Sequence, residues 1–279
     1  MTHTGGTWYQ KHGKTTDPEL RLVCFAHAGG VPSFFNGWAR HLPASMELVT
    51  ACYPGRQGRF DEPFAESLAE LADQATEALR PYTGTPLAFF GHSMGAVVAH
   101  EVALRLDARY GVRPVRLFLS GHPAPHRAPA SNLHREDTGT LVAEIKRLGL
   151  SSADAMDHPE LLELALPMLR SDFRLIETYS PGSAKVRSPI VAYAGDQDQD
   201  CRPDAVAAWS ELTTAGFEYR AFPGGHFYLE ACEADLLLHM AGHLRDDLRL
   251  ARVVRAAGAR RQPAGTAPHA PGLRAGGAR

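Results

Sequence analysis

The sequence of 279 residues predicts an α/β fold with a mostly parallel sheet flanked by helices. Short apolar runs without strict polar alternation recur along the chain, which is typical of strands buried on both faces of a sheet. Stretches with helical periodicity separate these runs, as in a doubly wound sheet. One run also leads through Gly-His-Ser-Met-Gly, residues 91–95, into a helical stretch, which indicates a strand–turn–helix unit.

Each predicted element has its own signal. Six apolar runs predict the strands, at residues 21–25, 48–53, 87–90, 115–119, 190–194 and 217–222. An apolar stripe from Leu68 to Leu79 predicts a helix between the second and third runs, and residues 96–109 predict the next helix. Pro203 predicts the start of a later helix, because proline suits the first helical turn. A leucine-rich stripe over residues 236–248 predicts the last helix.

The alternation of strands and helices stops between about residues 123 and 182. Three helical stretches occur there, at about 138–148, 159–170 and 171–179, and no convincing strand. An insertion at this point would lie over the carboxyl ends of the strands, where ligands bind in open α/β sheets. We therefore predict a helical lid over about residues 123–182, with extra core helices as the alternative.

Residues 1–250 are predicted to form one domain that includes the lid, and residues 251–279 a disordered tail. The tail contains six arginines and no acid, and it is rich in alanine, glycine and proline. Since the whole chain has a formal net charge of −2, these arginines leave −8 on residues 1–250. The tail lacks interleaved aromatic residues and any recognisable nucleic-acid-binding motif, so nucleic acid is not an expected partner.

Composition and spacing disfavour several other classes of protein. No apolar stretch is long enough to span a bilayer, and the polar first 17 residues lack the apolar core of a secretory signal. The four cysteines are scattered, as expected of free thiols in a reducing cytosol. The 14 histidines show no His-Glu-x-x-His or other metal-ligand spacing, so no metal is expected. We expect a cytoplasmic protein without a membrane partner.

The Gly-His-Ser-Met-Gly segment indicates a nucleophilic serine, Ser93. A serine hydroxyl is a weak nucleophile until a base removes its proton. A G-x-S-x-G turn between a strand and a helix holds the serine where a histidine can reach it. An ordinary strand–turn–helix connection is the alternative, and the residues that follow later in the chain argue against it.

Such a serine needs an acid and then a histidine further along the chain. The loop after the fifth predicted strand offers three carboxylates, and we assign the acid to Asp198 because it lies far enough into the loop to turn toward a histidine. Asp196 is the second choice and is expected to organise the turn through backbone hydrogen bonds. Asp200 is expected to cap the helix region that follows. His226, after the last predicted strand and a Gly-Gly turn, is the predicted general base.

The same chemistry needs fixed N–H donors for the oxyanion of the tetrahedral intermediate. One donor is assigned to the backbone N–H of Met94, directly after the nucleophile. The second is assigned to the N–H of Ala28, in the His-Ala-Gly-Gly loop that follows the first predicted strand. An ordinary glycine-rich loop is the alternative. A phosphate-binding loop is also conceivable, but this segment has neither the dinucleotide pattern nor the Walker lysine. His27 is expected to hold the loop through a hydrogen bond.

Taken together, these segments resemble the type II, or editing, thioesterases of polyketide and nonribosomal peptide pathways. The resemblance covers most of residues 20–245. It rests on residues 22–30, 53–57, 91–95, 195–198 and 224–227. One departure is in the acid loop, which commonly reads Gly-Asp-x-Asp-Pro-x-Val in the family; Gln199 and Cys201 stand here in place of proline and valine. To that extent the choice between the aspartates stays open.

The resemblance implies an α/β-hydrolase fold with a mobile helical lid. It implies hydrolysis of acyl thioesters on the phosphopantetheine arm of acyl or peptidyl carrier proteins, which removes aberrant or stalled acyl groups. Carried over by motif, Ser93 is the nucleophile, Asp198 the acid and His226 the base, and no cofactor is needed. The expected partners are carrier proteins, and the protein is expected to be a monomer.

Docking of a carrier protein would need a basic patch, because carrier proteins are often acidic and residues 1–250 are acidic as well. Arg59, Arg127 and Arg135 are the candidates. Arg56, in the Tyr-Pro-Gly-Arg-Gln segment, could meet the phosphate of the pantetheine arm. A buried structural salt bridge is the favoured interpretation of Arg56.

Three other functions remain as alternatives. A general carboxylesterase or lipase would use the same carbonyl chemistry, so only its substrate distinguishes it. A releasing or cyclising thioesterase from a larger synthase would differ in the nucleophile that takes the acyl group, and the polar N-terminus and the composition favour a stand-alone protein instead. A catalytically silent fold used for binding is disfavoured by the presence of Ser93, Asp198 and His226.

Overall fold

A computed structural model of the chain describes residues 7–13, 15–150 and 156–259. Seven strands form one sheet: β1 (Tyr9–His12), β2 (Leu20–Phe25), β3 (Met46–Ala51), β4 (Leu87–His92), β5 (Arg116–Ser120), β6 (Ile190–Gly195) and β7 (Phe217–Phe222). Their order across the sheet is β1-β3-β2-β4-β5-β6-β7. Only β1 runs antiparallel to its neighbour, and the other pairs are parallel. The prediction of a mostly parallel α/β sheet is confirmed.

The α-helices of the described residues are α1 (Leu68–Leu79), α2 (Met94–Tyr110), α3 (Thr138–Leu148), α4 (Pro159–Glu177), α5 (Pro203–Ala207), α6 (Tyr228–Ala231) and α7 (Glu233–Ala259). Local sequence explains where several of them begin and end. The Ser67 side chain accepts a hydrogen bond from the Glu70 N–H at the start of α1. Gly111 ends α2 in the left-handed conformation, with φ of 65°.

The six predicted strands all occur, within two residues of their predicted bounds, and β1 was not predicted. Its sequence, Tyr-Gln-Lys-His, carries little apolar signal because it forms an edge strand with a single buried residue, Tyr9. The Tyr9 hydroxyl donates to the backbone oxygen of Ala75 in α1, at 2.8 Å. A short polar edge strand depends on its neighbours rather than on its own pattern.

The sheet is buried on both faces, which accounts for the lack of strict alternation in its strands. Val23 and Phe25 of β2 face the core formed with α1 and α2. Leu22 and Cys24 of the same strand face the opposite core, which α7 covers with Leu236 and its neighbours. Every residue of β3, β4 and β6 is buried. The carboxyl ends of the parallel strands therefore meet at one edge, between two helical layers.

The described residues between 123 and 182 contain helices and loops and no strand. The predicted helices at 159–170 and 171–179 form one helix, α4, because the buried stripe of Leu169, Asp172 and Leu175 continues through the predicted break. Pro167 is accommodated inside that helix. Leu169 also packs with Leu141 and Ile145 of α3 in a small separate apolar cluster.

The last helix, α7, continues to Ala259, nine residues into the segment predicted as a tail. The rest of that segment, residues 260–279, lies outside the described residues. Among the helices described, none combines the length and the apolarity that crossing a bilayer requires.

Candidate active site

Ser93 lies in the sharp turn between β4 and α2, as predicted. Its φ and ψ are 54° and −123°, a backbone conformation that is costly for any residue with a side chain. Gly95 makes the turn possible, because a Cβ at this position would lie 2.1 Å from the backbone oxygen of Phe25 at the end of β2. The Ser93 N–H donates to the oxygen of Ser120, at the end of β5, at 2.8 Å. The serine is thus held at the carboxyl edge of the sheet with its side chain partly exposed.

The structure brings Asp198 and His226 together, although they are 28 residues apart. Asp198 lies in the loop after β6 and His226 in the loop after β7, and Nδ1 of His226 lies 2.8 Å from Oδ2 of Asp198. Both side chains are buried, with 9% and 8% of their surface exposed. With Nδ1 hydrogen-bonded to the carboxylate, Nε2 is the ring nitrogen that remains for proton transfer. The ring centroid of His226 lies 5.1 Å from that of His92, the residue before Ser93.

The other two aspartates of the loop have different partners. Asp196 is exposed, and its carboxylate accepts the N–H of Gly224 at 2.9 Å, so it ties the loop after β6 to the loop after β7. This agrees with its predicted role in organising the turn. Asp200 forms an ion pair with Arg147 of α3, and α5 begins without a side-chain cap, so the prediction that Asp200 caps the α5 region is wrong. Of the three carboxylates, only Asp198 contacts His226 among the contacts described.

Several groups hold Asp198 in its ionised form. Burial raises the pKa of its carboxyl, but the hydrogen bond and charge of His226, the Cys201 thiol and the Asp200 N–H together lower the pKa below its ordinary value. Cys201 stands where the related family commonly has valine. Its side chain is buried, and burial and Asp198 raise the pKa of its thiol, so the thiol stays protonated and donates a hydrogen bond to the carboxylate.

Two further histidines pack around this site without taking a charge. Burial is the main cause that lowers the pKa of His27 to about 3 and the pKa of His92 well below its ordinary value. The His27 ring packs edge-on against Phe34 and Phe227, each with a centroid distance of 4.8 Å. Its Nδ1 has no hydrogen-bond partner in the described residues, so the contacts described for this ring are aromatic, and the hydrogen bond expected of His27 stays a prediction.

A hydrogen-bonded chain that sequence reasoning missed runs behind His226. Nδ1 of His92 lies 3.0 Å from the Ser120 hydroxyl, and that hydroxyl lies 2.7 Å from the hydroxyl of Tyr228. All three side chains are buried. This chain fixes the ends of β4 and β5 against α6, which begins two residues after His226.

The two residues assigned to the oxyanion hole lie in segments that approach each other closely. Met94 is the first residue of α2, and Ala28 follows β2. The close approach of Gly95 to the end of β2 places these two backbone segments side by side. The N-terminus of α2 also favours negative charge, because its first N–H groups and its dipole point toward the site.

A buried ion pair supports the loop that contains Ala28. Arg56 donates two hydrogen bonds to Asp172 of α4, each at 2.8 Å, and a third to the oxygen of Gly30 at 2.9 Å. Asp172 also accepts the N–H of Gly29 at 2.7 Å. Arg56 and Asp172 expose 3% and 1% of their surface, so the favoured interpretation of Arg56 as a buried salt bridge is confirmed.

Asp172 was not predicted from the sequence, although the sequence contains a signal for it. The aspartate falls on the apolar stripe of α4 between Leu169 and Leu175, where helical periodicity predicts a buried position. A carboxylate on such a stripe needs a buried partner. The identity of that partner could not be read from the sequence, because Arg56 lies 116 residues away.

One of the three arginines predicted to dock a carrier protein is not available for that role. Arg59 is only 4% exposed, it donates to the oxygen of Cys52 and its guanidinium lies 3.9 Å from the ring centroid of Trp8. The docking prediction for Arg59 is therefore wrong. Arg127 and Arg135 are exposed, and Arg127 pairs with Glu211.

A cavity of about 340 Å³ opens beside the Asp198–His226 pair. The end of α3 lines one side, with Arg147 and Leu148, and the loops after β6 and β7 line the other. Its volume is in the range of small-molecule sites. Helices α3 and α4 thus contact the loops that follow the carboxyl ends of β2, β3 and β6, where a lid was predicted.

Two groups of described side chains could hold a metal ion. The first is Asp198, Cys201 and His226, but the protonated thiol of Cys201 makes it a poor ligand set. The second is Glu218, His239 and His243, on β7 and α7. The spacing of four residues between these two histidines is a metal-ligand spacing that sequence reasoning overlooked.

Comparison with known proteins agrees with the geometry. Residues 20–248 match the family model of the thioesterase domain. Thioesterase PikA5 of Streptomyces venezuelae is 42% identical over 241 residues, which cover 86% of this chain and 86% of that protein.

Solved structures give the same result. The type II thioesterase BorB from the borrelidin biosynthetic cluster is 36% identical, with a TM-score of 0.75 over 88% of this chain and 98% of that one. RedJ, a thioesterase of the prodiginine pathway in Streptomyces coelicolor, is 34% identical, with a TM-score of 0.76 over 83% of this chain and 88% of that one. The fold implied by the resemblance, an α/β-hydrolase fold, is therefore confirmed.

Proposed function

Because this chain belongs to the thioesterase domain family, among the type II thioesterases of polyketide and nonribosomal peptide biosynthesis, we propose that it hydrolyses acyl thioesters on carrier proteins. The thioester bond joins the acyl group to the phosphopantetheine arm of an acyl or peptidyl carrier protein. Hydrolysis frees the thiol of an arm that is blocked by an aberrant or stalled acyl group. The single observation that carries the proposal is the 2.8 Å hydrogen bond between His226 and Asp198, beside the strained turn of Ser93.

In the proposed acylation step, the Ser93 hydroxyl attacks the carbonyl carbon of the thioester. Nε2 of His226 takes the serine proton as the new C–O bond forms. Asp198 keeps the ring in the tautomer with Nδ1–H and stabilises the imidazolium. The tetrahedral intermediate then collapses, the C–S bond breaks, and the thiolate of the pantetheine arm leaves with the proton from His226.

Two backbone N–H groups stabilise the oxyanion in both steps. They belong to Met94, at the start of α2, and to Ala28, in the loop that Arg56 and Asp172 support. Such donors act strongly because they are fixed before the charge develops, and loss of one typically costs on the order of 100-fold in rate.

In the proposed deacylation step, water takes the place of the thiol. His226 accepts a proton from the water, whose oxygen attacks the acyl-serine ester. The second tetrahedral intermediate releases the free acid and returns the proton to Ser93. The steps use side chains and backbone groups of the chain itself.

Helix α3 lines the cavity beside Asp198 and His226, and α4 packs on the loop that contains Ala28. We propose that these helices form a lid that opens for the pantetheine arm and helps to select the acyl group by its size. Amide hydrogen exchange in α3 and α4 that is faster than in β4 and β5 would support this; equal protection of the two regions would contradict it.

The experiment that tests the function compares a panel of acyl groups, each offered on a carrier protein and as a simple ester. Wild-type protein is expected to release acyl groups from carriers rapidly, and Ser93→Ala to release none above background. The second candidate, a general carboxylesterase, is favoured by the Ser93 site itself, since ester and thioester hydrolysis need the same groups. Rapid cleavage of simple esters with negligible release from carriers would favour that candidate and contradict the proposal.

A further inference from the structure

Glu218, His239 and His243 form a cluster on a different part of the fold from the proposed triad, although His226 lies between Glu218 and His239 in the chain. Glu218 is near the amino end of β7, whereas His226 follows the carboxyl end of that strand. His239 and His243 lie one turn apart on α7, on the face that contacts Tyr193 of β6 and Phe118 of β5. All three side chains are partly exposed, so a solvent ion can reach them.

The distances within this cluster suit a metal ion. Nε2 of His239 lies 3.2 Å from Oε1 of Glu218, and Nε2 of His243 lies 3.3 Å from Oε2. The three ligand atoms all lie within 4.8 Å of one another. Two ligand atoms bound tetrahedrally to zinc at 2.0–2.1 Å are separated by about 3.3 Å. Small side-chain adjustments would therefore bring all three ligands to one ion.

A second observation supports the cluster as a metal site. The other ring nitrogen of His239, Nδ1, lies 2.8 Å from the hydroxyl of Tyr193. A histidine that binds a metal through one nitrogen commonly has such a hydrogen bond at the other, which fixes the tautomer and the direction of the ring. Tyr193 is fully buried, and its ring stacks on Phe118, so its hydroxyl is a fixed partner.

We propose that Glu218, His239 and His243 bind one Zn²⁺ ion, with solvent water as the fourth ligand. Two histidines and one carboxylate are a known ligand set for zinc. The ion would link β7, the edge strand of the sheet, to α7, which covers that part of the core. The site is structural, and it is separate from hydrolysis.

The test is a titration of the full chain with Zn²⁺, followed by isothermal titration calorimetry against a weak competing chelator. His243→Ala is expected to abolish the strongest binding event. Tyr193→Phe, which keeps all three ligands, is expected to weaken it by roughly tenfold, the usual effect of losing an outer partner. His126→Ala is the matched control, since it removes one exposed histidine that pairs with Glu211 and belongs to no group of three possible ligands among the described residues.

Two results would overturn the metal site. One is equal Zn²⁺ affinity in wild type, His243→Ala and His126→Ala, which would mean adventitious binding. The other is loss of the strongest binding in His226→Ala but not in His243→Ala, which would place the ion at Asp198 and His226. Zinc at the proposed site is expected to raise the thermal unfolding temperature of the wild type and not that of His243→Ala.

A separate observation concerns Asp172, and it rests on the proposed function. We infer that Asp172 of α4 is a positioning residue for the oxyanion loop, so that this loop is ordered for hydrolysis only while α4 lies against it. The carboxylate accepts the N–H of Gly29, the residue after Ala28, and binds Arg56, which in turn donates to the oxygen of Gly30. Asp172 thus holds the N–H of the Ala28–Gly29 peptide directly and the oxygen of Gly30 through Arg56.

Steric contact reinforces this connection between α4 and the loop. Gly29 has a φ of 73°, and a Cβ at this position would lie 2.4 Å from the side chain of Leu169 in α4. The helix therefore packs directly on the backbone of the loop. If α4 moves away, the Gly29 N–H loses its acceptor and the Ala28 peptide loses its support.

The test uses Asp172→Asn, with steady-state hydrolysis of a p-nitrophenyl ester and binding of a trifluoromethyl ketone, which forms a tetrahedral adduct with serine. We expect kcat to fall by roughly 100-fold, the effect of losing an oxyanion donor, with little change in KM and a parallel loss of ketone affinity. Glu177→Gln is the matched control: it removes a buried carboxylate of α4 that binds the N–H groups of Leu133 and His134 and does not touch the oxyanion loop.

The result that would overturn this inference is a folded Asp172→Asn protein with unchanged kcat, or one that loses kcat only as much as Glu177→Gln. The ester and the ketone report on the serine site whatever its natural substrate. Failure of the carrier-protein hypothesis is therefore distinguishable from failure of the positioning role.

Discussion

Two buried acid–base pairs hold the carboxyl edge of the sheet, and they differ in what they can do. His226 and Asp198 share one 2.8 Å hydrogen bond between their side chains, whereas Arg56 and Asp172 share two. A guanidinium keeps its proton at any pH that a protein experiences, while an imidazole exchanges its proton near neutral pH. Only the first pair can move a proton, and the second can only hold structure.

The comparison teaches that burial and distance do not by themselves identify a catalytic pair. In both pairs the partners shift the pKa more than burial does. Burial raises the pKa of Asp198, yet its pKa is lowered overall; burial lowers the pKa of Arg56, yet its pKa is raised overall. Both pairs are buried, and in each the partner determines the sign of the pKa shift. Their roles differ because one pair contains an imidazole and the other a guanidinium. Mutation of the first pair should therefore lower the rate, and mutation of the second should lower the stability.

The largest effect is expected on rate, from Asp198→Asn. An amide leaves the geometry in place but favours the wrong tautomer of His226, so kcat should fall by about 10⁴-fold with little change in thermal stability. Steady-state kinetics and thermal unfolding of the same samples give both values. Asp196→Asn is the matched control in the same loop and should lose far less activity; a larger loss in Asp196→Asn would show that the acid was assigned to the wrong aspartate.

The second effect is expected on stability, from Arg56→Met. Asp172 would be left buried without its cation, and the free energy of unfolding should fall by about 3–5 kcal/mol. Urea denaturation measures the change. The double variant Arg56→Met with Asp172→Leu should recover part of the loss, because no buried charge remains. If Arg56→Met unfolds at the wild-type urea concentration, the pair does not stabilise the fold as described.

A third prediction concerns buried histidines whose pKa is lowered chiefly by burial. Burial lowers the pKa of His27 to about 3 and that of His100 to about 4, from an ordinary value of 6.5. Below pH 6.5 the unfolded chain therefore binds protons that the folded chain excludes, so stability falls as the pH drops from about 6.5 toward 4.

The measurement is the free energy of unfolding at a series of pH values between 7 and 4.5. Each histidine should contribute up to about 1.4 kcal/mol per pH unit in this window. His100→Phe, which keeps a ring against Trp209, should make the decline less steep. An unchanged slope in His100→Phe would mean that this histidine already binds its proton in the folded state.

The smallest effect is expected from an exposed pair, Arg147 and Asp200, which joins α3 to the loop of Asp198. Exposed pairs are screened by water and salt, so Arg147→Ala should change the free energy of unfolding by no more than about 1 kcal/mol. Urea denaturation at low and high salt checks this. A loss as large as that of Arg56→Met would remove the distinction between exposed and buried pairs.

Local patterns were sufficient for much of the fold and the proposed triad. Apolar runs predict six strands. A strand buried on both faces is a short continuous apolar run, whereas a helix shows an apolar stripe with helical periodicity, and a few neighbouring residues are enough to tell them apart. Ser93, Asp198 and His226 are found because each follows a strand, and parallel strands place all such loops at one edge.

Features that depend on residues far away in the chain could not be predicted from the sequence. β1 exists because β3 offers an edge and α1 accepts the Tyr9 hydroxyl, and nothing in the four residues of β1 says so. The same holds for the break wrongly predicted within α4, where burial of Leu169, Asp172 and Leu175 overrides local polarity.

By itself, the sequence determined the type of fold, the order of its strands along the chain and the chemistry available at the carboxyl edge. The tertiary structure decided which charges meet: Arg56 with Asp172, Arg147 with Asp200, and Glu218 with two histidines of α7. The physical reason is that periodicity and turn chemistry act over a few residues. The partner of a charge is set instead by how whole helices and strands pack, and Arg56 and Asp172 meet although 116 residues separate them in the chain.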